Sequence, residues 1–396
     1  MFRLISAVAV LALIAIAYFA LRPAPESESD RRVGPAARPV PIESLALSPT
    51  AFDASRGGSV TLRFQTLEDG AVTVRWCGPN REVWRVDGPR ETVTGIQMFE
   101  WDGRDERGEV VPNEAFFPVV SIENDEGVAT LDPTRSTGGI RLRPTKVSVR
   151  PRDEMISYVL PEPARVLIRI GSNEGPMMRT LVNWSPRAKG LCTEGWDGWD
   201  VDRLVRVGDD PETVVSIQAY SLPNPTVFTI GSGGGDYVGA YMRLRESLEH
   251  LEAPERALEE VGAESPHWGR PVHLDRDPSI RIVFPEVSSE SAEVPEVGRP
   301  ALLTRVELVD EFQGDYLREQ GLEVVLFADQ ERILEAEIAN LPYQFEWDLG
   351  ELGPGEHLLT VNAVSFRQHV GVASRTILVG ELDGASDEGA GAGGEE

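Results

Sequence analysis

The stretch SVTLRFQTLEDGAVTVRWC, Ser59–Cys77, decides the fold class of this chain. Apolar side chains alternate with polar ones in both halves of it: Val60, Leu62 and Phe64 in the first, and Val72, Val74 and Trp76 in the second. Successive side chains of a strand point to opposite faces of a sheet, so this period of two indicates strands with one buried face. Proline and glycine interrupt the chain about every eight to twelve residues, which is typical of sandwiches. The stretch therefore predicts an all-β fold.

Four landmarks of the sequence recur 94 or 95 residues further along. A constant offset of this kind indicates two tandem copies of one domain. A unit of that length with alternating strands fits a small β-sandwich. The landmarks are LSPT at Leu47 and LRPT at Leu142, VTVRW at Val72 and VLIRI at Val166, Trp101 and Trp196, and VVSI at Val119 and Val214.

A Trp-Asp-Gly-x-Asp motif closes one strand in each copy, and its residues form the candidate structural motif. They are Trp101, Asp102, Gly103 and Asp105 in FEWDGRDERGEVVP, and Trp196, Asp197, Gly198 and Asp200 in EGWDGWDVDRLVRV. Asp-Gly is a strong turn signal, because glycine adopts positive φ without a steric penalty and the Asp carboxylate accepts N–H groups of the turn. We predict that each tryptophan fills a core and that the acidic residues belong to the turn.

Calcium binding is the alternative interpretation of this acidic cluster. Asp102, Asp105 and Glu106 are spaced closely enough to offer several oxygens to one ion. The cluster lacks the loop signature of a dedicated calcium site, and the second copy has Val201 where the first has Glu106. The sequence therefore favours turn architecture, with no metal and no cofactor.

Residues 45–218 resemble tandem Ig-like domains of the flagellar hook-capping (FlgD-type) family, whose pattern is Trp-Asp-Gly-x-Asp, a later Gly and then Pro-x-Gly-x-Tyr. The first copy matches it at Trp101, Asp102, Gly103, Asp105, Gly108 and Pro112, and the second copy only at Trp196, Asp197, Gly198 and Asp200. The first copy departs from the pattern at Glu114, where Gly is usual, and at Phe116, where Tyr is usual. The resemblance implies an Ig-like fold used as a scaffold or accessory module, and it brings no catalytic residues.

After the two copies the pattern changes twice. GSGGG from Gly231 reads as a linker, and apolar residues from Tyr241 to Leu251 then follow at helical spacing until Pro254. Strands with tight turns return from Leu302 to Val379 and resemble a further bacterial Ig-like domain. The predicted order is a membrane anchor or signal segment at 1–22, a Pro-rich linker at 23–41, FlgD-type Ig-like domains at 42–125 and 140–230, a Gly-rich and helical connector at 231–297, a third Ig-like domain at 298–380 and a disordered acidic tail at 381–396.

Side chains that commonly bind metals or act as nucleophiles are few. The connector histidines His250, His267 and His273 have no cysteine and no second histidine one helical turn away, so metal binding is not predicted. His357 is predicted to be a strand-edge residue. Cys77 and Cys192 occupy non-equivalent positions in the two copies, which favours two buried thiols, with a disulfide between them as the alternative.

The N-terminal segment indicates the cellular location of the protein. The run from Leu4 to Leu21 is apolar and uncharged, and eighteen residues at about 1.5 Å each span roughly the hydrocarbon core of a bilayer. We predict an uncleaved transmembrane anchor with the bulk of the chain exported, periplasmic or on the cell surface. Secretion after signal cleavage near Ala15–Ala17 is the alternative. The net charge of −27 argues against nucleic acid as a partner.

The sequence contains no familiar catalytic signature: a nucleophile elbow, a His-Glu-x-x-His helix, a phosphate loop and a Cys/His nucleophile pair are all missing. We therefore expect a non-catalytic cell-envelope scaffold or interaction protein. Its partner would be another envelope protein, bound at a strand edge or at the connector Tyr237–Leu251. The second hypothesis is a glycan-binding module, for which Trp84, Trp184 and Trp199 are the candidate exposed aromatics. The third is an enzyme with an unrecognised site.

Overall fold

The computed structural model describes residues 39–79, 81–232, 237, 240, 243–244, 277–287, 294–297, 301–309, 317, 321–350, 352–366 and 368–380. Strands dominate this part of the chain, so the predicted all-β fold is confirmed. The predicted anchor at 1–22, most of the linker at 23–41, most of the helical connector and the tail at 381–396 lie outside the described residues. Within the described part, none of the helices has the length and apolar character that crossing a membrane requires.

The first pair of sheets contains the stretch Ser59–Cys77. Its three-stranded sheet is ordered β1 (Ile42–Ser48), β3 (Val60–Thr66) and β6 (Gly95–Trp101). Its larger sheet is ordered β2 (Ala51–Asp53), β16 (Val227–Ile230), β7 (Ala115–Asn124), β4 (Gly70–Cys77) and β5 (Val83–Thr92), and β8 (Gly127–Leu131) also pairs with β7. Alternate residues of β3 and β4 face the core: Val60, Leu62, Phe64, Val72, Val74 and Trp76 are each at most 1% exposed.

The second pair of sheets repeats this plan. The three-stranded sheet is ordered β10 (Thr145–Arg150), β11 (Met155–Leu160) and β14 (Gly190–Gly195). The other sheet is ordered β13 (Met177–Arg187), β12 (Ala164–Ser172), β15 (Thr213–Ser221) and β9 (Arg141–Leu142). Ile156, Ile168 and Trp196 are buried in the core that the two sheets share.

The two copies share most of their strand pairings and differ at their first strand. The pairings β3–β6, β4–β5 and β4–β7 recur as β11–β14, β12–β13 and β12–β15. LSPT starts in β1 of the three-stranded sheet and leads to β2 of the larger sheet, whereas LRPT starts in β9 of the four-stranded sheet and leads to β10 of the three-stranded one. Ile140 N donates to Ser221 Oγ at 3.0 Å, so the chain enters the second copy beside β15 and pairs there before it crosses to β11.

The third pair of sheets has its own core. One sheet is ordered β17 (Ile280–Val283), β19 (Ala301–Leu308) and β22 (Tyr343–Asp348). The other is ordered β18 (Glu296–Val297), β24 (Val370–Val379), β23 (Gly355–Ser365), β20 (Leu322–Ala328) and β21 (Glu331–Ala339). Trp347 fills this core, and its Nε1 donates to Thr304 Oγ1 at 3.0 Å. Short 3₁₀ helices lie between strands at Ala54–Arg56, Pro133–Arg135, Pro151–Asp153 and Val207–Asp209.

Three strands pair with sheets outside the domain ranges predicted for them. β16 falls in the predicted range 140–230, yet it pairs with β2 and β7 of the first copy. β17 and β18 fall in the predicted connector 231–297, yet they belong to the third pair of sheets. Tyr237, the first residue of the segment predicted to contact a partner, is buried against Trp84 and is therefore not exposed for that contact. Side-chain alternation predicts a strand but does not identify its distant partner, which explains the differences.

Candidate functional site

The first Trp-Asp-Gly turn begins at the end of β6. Trp101 is 2% exposed, and its ring stacks on Trp76 of the facing sheet with centroids 4.8 Å apart. The indole Nε1 donates to Arg104 O at 2.9 Å. One side chain therefore fills the core and also holds the turn that follows it.

The carboxylates of this turn bind its backbone. Asp102 Oδ1 accepts from Arg104 N at 3.1 Å. Asp105 is 4% exposed, and its Oδ1 accepts from Arg107 N and from Glu109 N, each at 2.9 Å. Both residues thus satisfy N–H groups that a tight turn would otherwise leave without partners.

The second turn repeats the hydrogen bonds of the tryptophan and of the first aspartate. Trp196 is 1% exposed, and its Nε1 donates to Trp199 O at 3.0 Å. Asp197 Oδ1 accepts from Trp199 N at 3.2 Å. Asp200 is fully buried, and its Oδ1 accepts two backbone N–H groups at 2.6 and 3.0 Å. The motif therefore begins both turns in the same way, but Asp105 accepts from the second and fourth residues after it and Asp200 from the fourth and fifth, so the second loop is longer.

Glycine at the third motif position is required by the backbone of each turn. Gly103 has a φ of +73° and Gly198 a φ of +83°, a region that other residues adopt at a cost. A Cβ on Gly103 would lie 2.5 Å from Ala54 Cβ. Gly103 O accepts from Val111 N at 2.9 Å and Gly198 O accepts from Gly208 N at 2.8 Å, which closes both loops.

Asp197 is the most strongly charge-paired residue of the motif. Its Oδ1 lies 3.2 Å from Arg179 Nη1, and its Oδ2 pairs with Arg203. Burial raises the pKa of this carboxyl, but the N–H of Trp199 and the guanidinium of Arg203 outweigh that effect and hold the pKa below its ordinary value. Asp197 is therefore ionised at neutral pH and fixes the base of the turn.

The acidic residues of the turns do not gather around a common point. Glu106, part of the calcium alternative, uses its Oε1 to accept from Val86 N of β5 at 2.5 Å. In the part of the chain that the structure describes, no group of three or more His, Cys, Asp or Glu side chains is arranged to hold a metal ion. The geometry gives these carboxylates a role as acceptors for backbone N–H groups.

Two of the three candidate aromatics for glycan binding are buried. Trp84 is 1% exposed and donates from Nε1 to the hydroxyl of Tyr237 at 3.2 Å. Trp184 is 8% exposed, and its ring packs against Tyr220. Trp199 is half-buried, with the guanidinium groups of two arginines about its ring. These three tryptophans therefore do not form an exposed aromatic platform.

The two cysteines are free thiols in the interior, so the disulfide alternative is excluded. Burial raises the pKa of Cys77 and of Cys192, which disfavours the thiolate that nucleophilic chemistry requires. The two thiols therefore serve as small apolar groups of the first and second cores.

A buried ion pair joins the first copy to the second. Glu114, just before β7, and Arg165, at the start of β12, are each at most 2% exposed and lie 2.5 Å apart between Oε1 and Nη2. Arg165 Nη1 also donates to Trp184 O at 2.6 Å. Glu114 and Arg165 therefore form a buried contact between the two copies.

Asp277 joins the second pair of sheets to the third, and it is 4% exposed. On the second side, Arg169 Nε donates to its Oδ2 at 2.8 Å, with a further bond from Nη2 to Oδ1, and Thr180 Oγ1 donates to Oδ2 at 2.6 Å. On the third side, Val370 N donates to Oδ1 at 2.9 Å. Arg169 Nη2 reaches the same side by donating to Gln368 O at 2.7 Å. We call these five residues the Asp277 clasp.

Further polar contacts join the second pair of sheets to the third. The amide of Asn362, in β23, pairs in both directions with the backbone of Met177, at 2.8 Å for each bond. Ser374 N, in β24, donates to Asp202 Oδ2 at 2.6 Å.

The sequence contains one indication of the buried ion pairs of Arg165 and Arg169. These two arginines lie on the same face of β12, because they are four residues apart on a strand. Two arginines on one face of an otherwise apolar strand indicate buried carboxylate partners.

His357 lies near the start of β23, where it pairs with Ile377 of β24 and precedes Leu359, the first residue of β23 that pairs with β20. Its Nδ1 is 2.6 Å from Asp329 Oδ2 and its Nε2 is 2.7 Å from Gly353 O. Both partners are acceptors, so both ring nitrogens donate only when the imidazole is protonated. Burial lowers the pKa of His357, but the bonds to Asp329 and Gly353 outweigh it and raise the pKa above its ordinary value.

We expect His357 to make the stability of the protein depend on pH. Since its pKa is raised in the folded state, its contribution is complete below the unfolded pKa of about 6.5 and is lost as the pH rises through the folded pKa. The melting temperature of the wild-type protein should therefore fall more steeply above about pH 6.5 than that of His357→Gln, which does not titrate. Equal slopes for the two proteins would contradict this assignment.

No family model matches the chain, and no curated protein matches it. An endo-β-1,4-mannanase from Thermotoga petrophila is 17% identical, with a TM-score of 0.19, over 32% of this chain and 24% of that one, so this chain spans about a quarter of its length. A CARDB domain from Pyrococcus furiosus is 14% identical, with a TM-score of 0.18, over 26% of this chain and 94% of that one. A bacterial ice-binding adhesin is 11% identical, with a TM-score of 0.18, over 88% and 100% of the two chains.

Proposed function

We propose that this chain is a non-catalytic scaffold or interaction protein of the cell envelope that presents three Ig-like β-sandwiches outside the cytoplasm. The apolar segment at 1–22 is its membrane anchor in this proposal, and the first two sandwiches are of the FlgD type. Each pair of sheets described above corresponds to one sandwich.

The observation that carries the proposal is the use made of buried charged groups. Glu114 with Arg165, and Arg169 with Asp277, connect one sandwich to the next. Breaking a buried pair by removing one partner is costly, so these contacts favour a fixed arrangement of neighbouring sandwiches. A fixed arrangement suits a protein that presents surfaces to a partner.

The turns support the same conclusion. Buried carboxylates are candidates for acid–base chemistry when they face a cleft and have perturbed pKa values. Asp105 and Asp200 are buried, but each binds two N–H groups of its own turn. Their hydrogen bonds match a structural role, which favours the scaffold over the enzyme hypothesis.

The test is recovery of partners from the native envelope. We expect the tagged full-length chain, solubilised in mild detergent, to recover a specific envelope protein. The matched control is the same tag carried on residues 1–40 alone, which separates partners of the sandwiches from proteins that merely share the membrane. Recovery of a polysaccharide without protein would favour the glycan alternative. Turnover of a substrate that one carboxylate substitution abolishes would overturn both.

A further inference from the structure

A basic segment lies at the start of the second copy, in a chain whose net charge is −27. The twenty residues PTRSTGGIRLRPTKVSVRPR, from Pro133 to Arg152, contain six basic residues and no acidic one. The basic residues are Arg135, Arg141, Arg143, Lys146, Arg150 and Arg152. A local excess of positive charge attracts anionic groups even where the protein as a whole is acidic.

The middle of this segment is the edge strand β10. It pairs with β11 on one side, and among the described residues no strand pairs with its other side. The register shifts between Thr145 and Ser148, and Lys146 there has a φ of +52°. Val147 and Val149 are 50% and 38% exposed. β10 therefore presents open backbone, apolar side chains and positive charge together.

Most of the charges of this edge are not paired with acidic side chains of the described residues. Arg143, Lys146 and Arg152 are exposed and form no ion pair with any residue that the structure describes. Arg150 pairs with Asp153 at 3.3 Å, and both side chains are at least half exposed. Most of the basic side chains at this edge can therefore attract the carboxylates of a partner.

The equivalent edge of the first copy shows that the fold does not require this charge. β1 has the sequence IESLALS, in which Glu43 is the single charged residue. Lysine on an edge strand also prevents pairing with an identical strand, because like charges would lie opposite each other. A second copy of this chain is therefore a poor occupant for β10.

We propose that β10 and the residues that flank it, Arg143–Arg152, are the docking edge for an extended acidic segment of another polypeptide. This inference rests on the proposed function and names the chemistry of the partner. An added strand would pair with the open backbone of β10, its carboxylates would face Arg143, Lys146 and Arg152, and its apolar residues would contact Val147 and Val149. Polypeptide fits better than anionic polysaccharide, because a polysaccharide offers neither a strand backbone nor apolar side chains.

The probe is fluorescein-labelled poly-L-glutamate, added to the full-length protein and followed by fluorescence anisotropy at low and high salt. We expect binding at low salt that weakens as salt is added. The triple variant Arg143→Gln, Lys146→Gln, Arg152→Gln should bind about tenfold more weakly, since three exposed charge pairs are lost. The matched control changes the net charge equally at distant exposed positions: Arg56→Gln, Arg63→Gln and Arg281→Gln.

Three outcomes would overturn the docking edge. They are no binding of poly-L-glutamate at low salt, equal weakening in both triple variants, and binding of a sulfated polysaccharide that only the first triple variant loses while poly-L-glutamate does not bind. Unchanged melting temperatures for both variants show that the fold is intact. The proposed function fails separately, if the native envelope yields no protein partner at all.

Discussion

Replacing Trp101 with alanine is expected to lower the free energy of unfolding of the first sandwich by about 3–5 kcal/mol. The ring is 2% exposed and packs against Trp76, and it also meets Phe52 and Phe116 edge to face. Its removal leaves a cavity between the two sheets and frees Arg104 O from its indole partner. Urea unfolding, followed by tryptophan fluorescence and circular dichroism, measures the loss. Trp196→Ala should cost a similar amount in the second sandwich.

Two controls separate core filling from turn chemistry in this experiment. Asp102→Asn should cost well below 1 kcal/mol, because its side chain is 59% exposed and asparagine can still accept from Arg104 N. Addition of EDTA should leave the melting temperature unchanged. A loss below about 1 kcal/mol for Trp101→Ala would contradict the core role of the indole. A large chelator-induced fall in the melting temperature would instead restore the calcium alternative.

The strands and cores are the features that the sequence predicts well. The alternation around Val60 and Trp76 is a direct consequence of strand geometry, so the buried faces of β3 and β4 follow from it. The Trp-Asp-Gly turn is also local: every hydrogen bond of Asp102 and Asp105 described above is made within a few residues. Local contacts can be predicted from the sequence, because the spacing of the residues fixes their geometry.

Contacts between distant segments are the features that the sequence does not predict. β16 reaches β7 across more than one hundred residues, and nothing in VFTI specifies that partner. Asp277 is one acidic residue among 65. Its burial depends on Arg169, Thr180 and Val370 meeting at one point, which no spacing rule encodes. These contacts also decide where one sandwich ends and the next begins, which is why the predicted ranges differ from the sheets.

Breaking the Asp277 clasp is expected to be the second most damaging change. Asp277→Ala should cost about 3–5 kcal/mol, because it leaves the buried guanidinium of Arg169 without its carboxylate partner. It also removes the acceptor for Thr180 Oγ1 and Val370 N. The effect should appear as lower stability of the second and third sandwiches together, measured by hydrogen exchange of β12 and β24. The matched control is Arg281→Met, which removes a pair with Glu307 whose arginine is 61% exposed and should cost under about 1 kcal/mol.

A double-mutant cycle tests whether the damage comes from an unpaired buried charge. In Arg169→Met with Asp277→Leu no charge is left at the contact, so the double variant should lose less stability than the sum of the losses in Arg169→Met and in Asp277→Leu, although Thr180 and Val370 still lose an acceptor. If the effects of the two substitutions were simply additive, Arg169 and Asp277 would not be energetically coupled and the clasp would not hold the two sandwiches together. Coupling of about 1 kcal/mol or more is the expected result. It would show that a charged pair set between two apolar cores fixes their arrangement, which is what presentation of a docking edge to a partner requires.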